Sequence, residues 1–467
     1  MELGDVDMKS NRTGEATDGQ HISGRSEFRR QVEDTTGLAS VIDIHTHLFS
    51  PEFGEMNLYG IDNLLTYHYL VAEMFRSASV SPSVYWRMNR AQQADLVWRT
   101  LFVENTPISE ATRGVITVLD AFGLDPNAAT LDETRDYFQS QSLEKHVDQV
   151  LGMARVSSVV MTNDLFDPDE MNVWNGRMSF DPRFHASLRM DRLLDDWPNT
   201  VEFLLSAGYI VDPHMSGDTI SEMRRYIDRC IAQMRPLYMA VSLPDDFRYP
   251  AGDIRNRIIN EIVLPTARDH DLPFAMMIGV RRGVNPVLRA AGDGVGKADV
   301  AAVERMCVEN PDVRFMATFL SRENQHELCV AARKFNNLMP FGCWWFLNNP
   351  SIIAEITTER LELLGTTFIP QHSDARVLEH LIYKWLHSRR IIADCLANSY
   401  EQLVLAGRSI SGAEIERDVE QMFSGNFRRW VGTSRLDGDM VVEAPGTENI
   451  EFAGSIHISS DIAGNIE

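Results

Sequence analysis

Two histidines one residue apart, His45 and His47 in the segment VIDIHTHLF (41–49), carry the clearest chemical signal in the chain. In extended backbone, residues i and i+2 project to the same side, so both imidazoles can reach a single cation. Asp374, in the segment HSDAR, closes the last apolar run of the sequence. If the first and last runs are neighbours in a closed barrel, His45, His47 and Asp374 form a three-ligand site for one divalent metal ion. Such a site leaves positions open to substrate, which is the arrangement of a catalytic metal. Arg189, Arg281 and Arg376 also fall at or just past predicted strand ends, and Arg282, adjacent to Arg281, is equally able to face inward. Guanidinium groups placed in this way bind carboxylates, so a small acidic ligand is the expectation.

These side chains need a scaffold that brings strand ends together. Short apolar runs bounded by turns recur at 41–49, 156–162, 184–190, 237–243, 273–280, 313–319, 337–343 and 366–371. Helical periodicity fills most of the gaps, as in TISEMRRYIDRCIAQM (219–234), ADVAAVERMCVEN (298–310) and the long stretch 377–403. Eight near-continuous apolar strands alternating with helices predict an α/β fold, a (β/α)₈ TIM barrel with its chemistry at the C-terminal strand ends. The gap between the first two runs is too long for one crossover and predicts a helical insertion over 50–155 after strand 1. The segment AGYIVDP (207–213) competes with 237–243 for the fourth strand. Residues 26–430 form one barrel domain in this reading, flanked by a polar tail over 1–25 and an acidic, Gly/Ser-punctuated tail over 431–467.

Composition narrows the function. The 467 residues include 67 acidic and 44 basic side chains, a net charge of −23 that repels nucleic acid and anionic membrane surfaces. The five cysteines are scattered, with no CxxC pair, and read as reduced, buried thiols in a reducing compartment. There is no apolar leader-like segment and no apolar run near the ~18 residues a membrane span requires, so the expected location is the cytoplasm. A homo-oligomer is the expected state.

The motifs DIHTHLFSPE, NLYGIDNLLTYHYLVAEMFR, RMDR, MMIGVRRGVNP, MPFGCWWF and HSDAR, in this order, resemble those of the uronate isomerases (glucuronate isomerases) of the amidohydrolase superfamily. The resemblance spans about 41–400. It implies a distorted (β/α)₈ barrel and interconversion of D-glucuronate and D-fructuronate, or of D-galacturonate and D-tagaturonate. It also implies one divalent ion, often zinc, on His45, His47 and Asp374. Aldose–ketose isomerisation moves a proton between C2 and C1, and either Asp374 or a Tyr69 made acidic by its neighbours would carry it. His68 and Tyr69 become lid residues that donate hydrogen bonds to the sugar chain. Arg189 and Arg376 match family positions for holding the sugar acid, with Arg281 as the third such group.

Departures from the family pattern accompany these matches. Met277 stands where the family shows a strand-5 histidine, SLPDD replaces a histidine-bearing segment after strand 4, and the stretch 80–135 lacks a common Trp/His-bearing element. A mononuclear metal-dependent hydrolase or lactonase is the alternative reading, and a non-catalytic sugar-acid-binding barrel the second. Trp344 and Trp345 read as core or pocket wall, and His270, His380 and His387 as structural; His372 alone of these lies close to the site.

Overall fold

The computed structural model describes residues 25–176 and 179–436. Eight strands form: β1 (Val41–Thr46), β2 (Val156–Asp164), β3 (Phe184–Arg189), β4 (Met239–Pro244), β5 (Phe274–Arg281), β6 (Gly294–Val295), β7 (Phe315–Phe319) and β8 (Leu338–Pro340). Seven of them pair in parallel in the order β1-β2-β3-β4-β5-β7-β8, and β6 is a short antiparallel appendage that turns the chain back along β5. One strand face buries Ile42, Ile44, Val160, Tyr238, Ala240, Met277 and Met316 in a common inner cluster, and the other packs outward against helices. Both faces are therefore apolar, as parallel sheets require. The five cysteines are buried and unpaired.

The first seven predicted runs coincide with the seven parallel strands, and 237–243 rather than 207–213 supplies the fourth. The losing segment follows a helix (Trp197–Ser206) that ends at Gly208, whose φ of +83° breaks helical backbone. Its Tyr209 and Val211 are buried as loop residues, which explains the apolar signal. Between β1 and β2 the chain is helical, as expected, and includes the helices Ile61–Leu65, His68–Ser77, Arg90–Trp98, Glu110–Ala121, Asp132–Gln139 and Leu143–Ala154. Several of them share a separate core containing Leu65, Val71, Met74, Trp98 and Leu119. The N-terminal tail predicted over 1–25 lies outside the described residues except for Arg25, which opens the helix Arg25–Leu38. The acidic tail predicted over 431–467 is described up to Leu436: Val431 ends the helix Asn426–Val431 and is buried, Thr433–Leu436 is a short helix, and the remainder lies outside the described residues. Among the described residues no helix is long and apolar enough to cross a membrane.

The eighth run, 366–371, does not form a regular strand. It makes a single parallel bridge, Phe341 to Ile369, and Pro370 then has no N–H to offer a ladder. The Gln371 side chain takes over, accepting hydrogen bonds from the N–H groups of Cys343 at 2.9 Å and His372 at 3.1 Å. The ring is closed onto β1 by backbone bonds from Asp374 N–H to the His45 carbonyl at 3.2 Å and from His47 N–H to the Ala375 carbonyl at 2.7 Å.

Asp43 fastens this seam from behind. Its carboxylate accepts from Ser373 N–H at 3.1 Å and from the Trp385 indole at 2.8 Å, joining β1 to the closing segment and to the long helix His380–Leu405. Burial pushes its carboxyl up to about 6, against the opposing pull of those donors.

The seam also depends on Gly342, which has φ of +62° and lies so close to His372 that a Cβ would sit 1.8 Å from the ring Nδ1. Gly342→Ala is expected to cost about 1–3 kcal/mol from overpacking and left-handed backbone strain together, measured by chemical or thermal unfolding. Wild-type stability in that variant would show that the closing segment yields without cost.

Candidate active site

β1 carries a bulge where the chemistry begins. Asp43 pairs with Val159 and Thr46 with Met161, so three steps along β1 match two along β2. In unbroken alternation His45 and His47 would share the face of Asp43, which points at Trp385 on the outer helix. The extra residue turns both imidazoles to the inner side, shared with Ile42 and Ile44. The HxH spacing predicts that the rings face the same way; the bulge decides which way.

His45 Nε2 lies 3.8 Å and His47 Nε2 3.3 Å from Asp374 Oδ1. One ligand atom from each of the three residues falls within 4.8 Å of the other two. Asp374 Oδ1 is nevertheless buried without a hydrogen-bond donor, an orphaned acceptor that a cation would satisfy. Asp374 holds φ of +52°, a left-handed backbone uncommon outside glycine and met at functional sites.

Protonation suits coordination as well. Burial, aided by the charge of His47, pushes the His45 imidazole down to about 3. Burial, then the charges of Arg376 and Arg189, hold His47 well below the usual histidine range. Both rings are neutral at neutral pH and offer lone pairs. Tyr238 Oη donates to the Ile44 carbonyl at 2.5 Å and sits 3.4 Å from His45 Nδ1. With its own proton committed, the phenol oxygen accepts from Nδ1–H, which places the free lone pair on Nε2 facing Asp374. Two imidazole nitrogens and one carboxylate oxygen so directed fit a divalent ion with open positions.

The surrounding cleft is lined by His45, His47, His68, Arg189, Ser242, Arg282, Trp344, Trp345, Asp374 and Arg376. Arg189, at the end of β3, is buried and steered by Asp191, with Nε to Oδ2 at 3.1 Å. Arg282 is anchored by Asp293 at 2.9 Å, and its guanidinium carbon lies 6.0 Å from the Trp345 ring centre. The expectation for Arg281 is corrected. Its side chain is 56% exposed and its Nε pairs with Asp245 at 2.6 Å, outside the cleft. Arg281 is the last residue of β5, and Arg282, in the turn that follows, is the one that lines the cleft, with its side chain 47% exposed.

His68 lines the cleft, with a buried Nε2 that has no hydrogen-bond partner and a ring 5.4 Å from Trp345. Tyr69 stands behind it, ring centres 4.5 Å apart, and does not line the cleft. The notion of a Tyr69 made acidic by its neighbours is reversed: burial first, then Tyr67 and Asp374, push its phenol well above 10. Tyr67, unremarked in the sequence, is buried beside His68 and has its phenol raised by burial and by the Asp374 charge. His372 is buried against His45 with neither ring nitrogen hydrogen-bonded. Tyr238 was also missed; a lone phenol in step with Ala240 and Ser242 along LYMAVSL was its only signal. Trp345 has φ of +47° and a buried indole N–H without a partner, which marks it as more than packing.

Barrel and ligand triad together define a parallel α/β barrel with a candidate metal centre at its C-terminal rim. Neither protein-family models nor curated protein sequences give a match. Among solved structures, a uronate isomerase from Bacillus halodurans C-125 matches with a TM-score of 0.87 at 50% identity, covering 90% of this chain and 99% of that one. A glucuronate isomerase from Caulobacter crescentus matches with a TM-score of 0.72 at 14% identity, covering 90% of this chain and 97% of that one. For a uronate isomerase from Thermotoga maritima the values are 0.69 and 14%, covering 87% and 97%. The latter two show the fold alone, whereas the first places the chain in the uronate isomerase family.

Tyr238→Phe removes the acceptor that fixes the His45 tautomer without touching a ligand. The variant is expected to retain a divalent ion about tenfold to hundredfold less tightly, read by competition with a chelator. Unchanged retention would detach Tyr238 from the site.

Proposed function

We propose that the protein interconverts an aldohexuronate and its 2-keto isomer, D-glucuronate with D-fructuronate or D-galacturonate with D-tagaturonate. The observation that carries this reading is 50% identity to a uronate isomerase over 99% of that chain. The His45, His47 and Asp374 cluster beside three inward guanidiniums agrees with it.

The substrate carboxylate has to enter a protein of net charge −23, and Arg189, Arg282 and Arg376 reverse that sign locally. Asp191 and Asp293 hold two of these groups in place, so little side-chain freedom is lost on binding. His45, His47 and Asp374 would hold a divalent ion, zinc in this reading, and such an ion would supply Lewis-acid polarisation of a substrate oxygen.

Proton movement falls to Asp374, among the described residues the one carboxylate lining the cleft. It removes the proton from C2 of the aldose and returns it to C1 while the hydroxyl proton passes from O2 to O1, so a single base serves both carbons from one face. Tyr69 and Tyr67, with phenols held protonated by burial, do not compete for that role and act as hydrogen-bond donors. Neutral His68 and the unpartnered Trp345 indole N–H give the sugar hydroxyls fixed partners. The alternative of a hydrolase gains no support at strand 5, where Met277 packs into the inner apolar cluster.

Substrate deuterated at C2 is expected to give ketose with label at C1 or lost to solvent; label retained at C2 would rule out this chemistry. Asp374→Asn is expected to lower kcat by about 10²–10⁴-fold. The adjacent arginines separate the binding model from a general charge effect. Arg282→Met is expected to raise KM for the uronate about tenfold or more, and Arg281→Met to leave it within about twofold. Equal effects would mean that the carboxylate is held elsewhere.

A further inference from the structure

The helix His380–Leu405 carries an ammonium group that the chemistry above does not use. Lys384 is 4% exposed, and its Nζ is buried with no hydrogen-bond acceptor. The nearest carboxylate oxygen, Oε1 of Glu110, is 3.6 Å away. Two aromatic faces enclose the charge: the Tyr69 ring centre at 5.4 Å and that of Tyr383 at 5.1 Å. A long side chain that could extend to water is instead folded inward.

We propose that Lys384 is a positioning residue that fastens Tyr69, and with it the helix carrying His68, over the reaction cleft through a charge held between two tyrosine rings and one carboxylate. The proposal rests on the reading of His68 as a group that meets the sugar, with Tyr69 packed behind it.

An ammonium deprived of water is expensive to bury unless its surroundings compensate, and an apolar residue of similar volume would pack there at lower cost. Compensation here comes from three separate elements. Tyr69 belongs to the helix His68–Ser77, Glu110 opens the helix Glu110–Ala121 of the insertion, and Tyr383 lies on the same helix as Lys384. The charge is satisfied only while all three are docked, so it couples the lid helix to the helix that follows Asp374 and Arg376 in the chain. Desolvation strengthens this coupling, since a cation over an aromatic face is worth most where water is excluded.

Two further contacts make the arrangement a joint. Ser109 donates to Glu73 of the lid helix at 2.7 Å, tying that helix to the start of Glu110–Ala121. Gly114 permits a close approach to Tyr383, whose ring would lie 2.7 Å from any Cβ at that position. Lys384 itself does not line the cleft, so its influence passes through Tyr69.

The test compares full-length wild type with Lys384→Met and Glu110→Gln, reading hexuronate turnover and amide hydrogen exchange over residues 68–77. Lys384→Met is expected to keep or raise the melting temperature while kcat falls about tenfold or more, KM changes less, and exchange in 68–77 accelerates. Glu110→Gln, at a partly exposed position, is expected to show the same pattern more mildly, and it decides the matter if Lys384→Met does not fold. Exchange and kcat both within twofold of wild type would overturn the proposal, as would a kcat loss with unchanged exchange in 68–77. A wild type that turns over no hexuronate would sink the proposed function, while the exchange comparison would still read the joint.

Discussion

The site depends on a ring being closed by irregular backbone. Two hydrogen bonds, from Asp374 N–H to the His45 carbonyl and from His47 N–H to the Ala375 carbonyl, join the first strand to the segment after the last. They also set the distance between the carboxylate and the imidazoles. Regular strand pairing would not serve. Pro370 interrupts the ladder, Asp374 takes a left-handed conformation, and the bulge in β1 rotates both histidines inward. Each departure from ideal geometry falls within a few residues of a ligand atom, as expected where strain is retained because it aims a side chain.

Electrostatics around this seam are organised by exclusion of water. The imidazoles at 45, 47, 68 and 372 are all held neutral chiefly by burial, and the guanidiniums beside them deepen the effect on His47 and His68. The same burial raises the phenols of Tyr67 and Tyr69. The pocket thus holds neutral donors and acceptors, one carboxylate and fixed positive groups in a strongly acidic protein. An anionic sugar is stabilised there by local geometry, with the global field opposing it.

Much of this was legible in the sequence, for physical reasons that can be named. Parallel strands are buried on both faces, so they announce themselves as apolar runs, and the eight runs located the barrel. The triad was legible because a closed barrel makes the first and last strands neighbours whatever happens between them. Other features depend on a single residue of register. Arg281 and Arg282 are indistinguishable until the strand face is known, and the bulge at His45 leaves no mark in composition. Tyr238 and Asp43 act through long-range hydrogen bonds and Tyr67 through ring contacts, and no periodicity records such pairings. The segment 207–213 competed for the fourth strand because a buried loop and a buried strand share the same residue types.

The order of the ligands along the chain has a consequence for biosynthesis. His45 and His47 leave the ribosome well before Asp374 and Arg376. Throughout that interval the nascent chain exposes β1 without the segment that seals it, and no stable ion-binding cage exists. An ion that needs all three ligands would be captured only after Asp374 has been made, and a product truncated before it would carry the two imidazoles without their carboxylate partner.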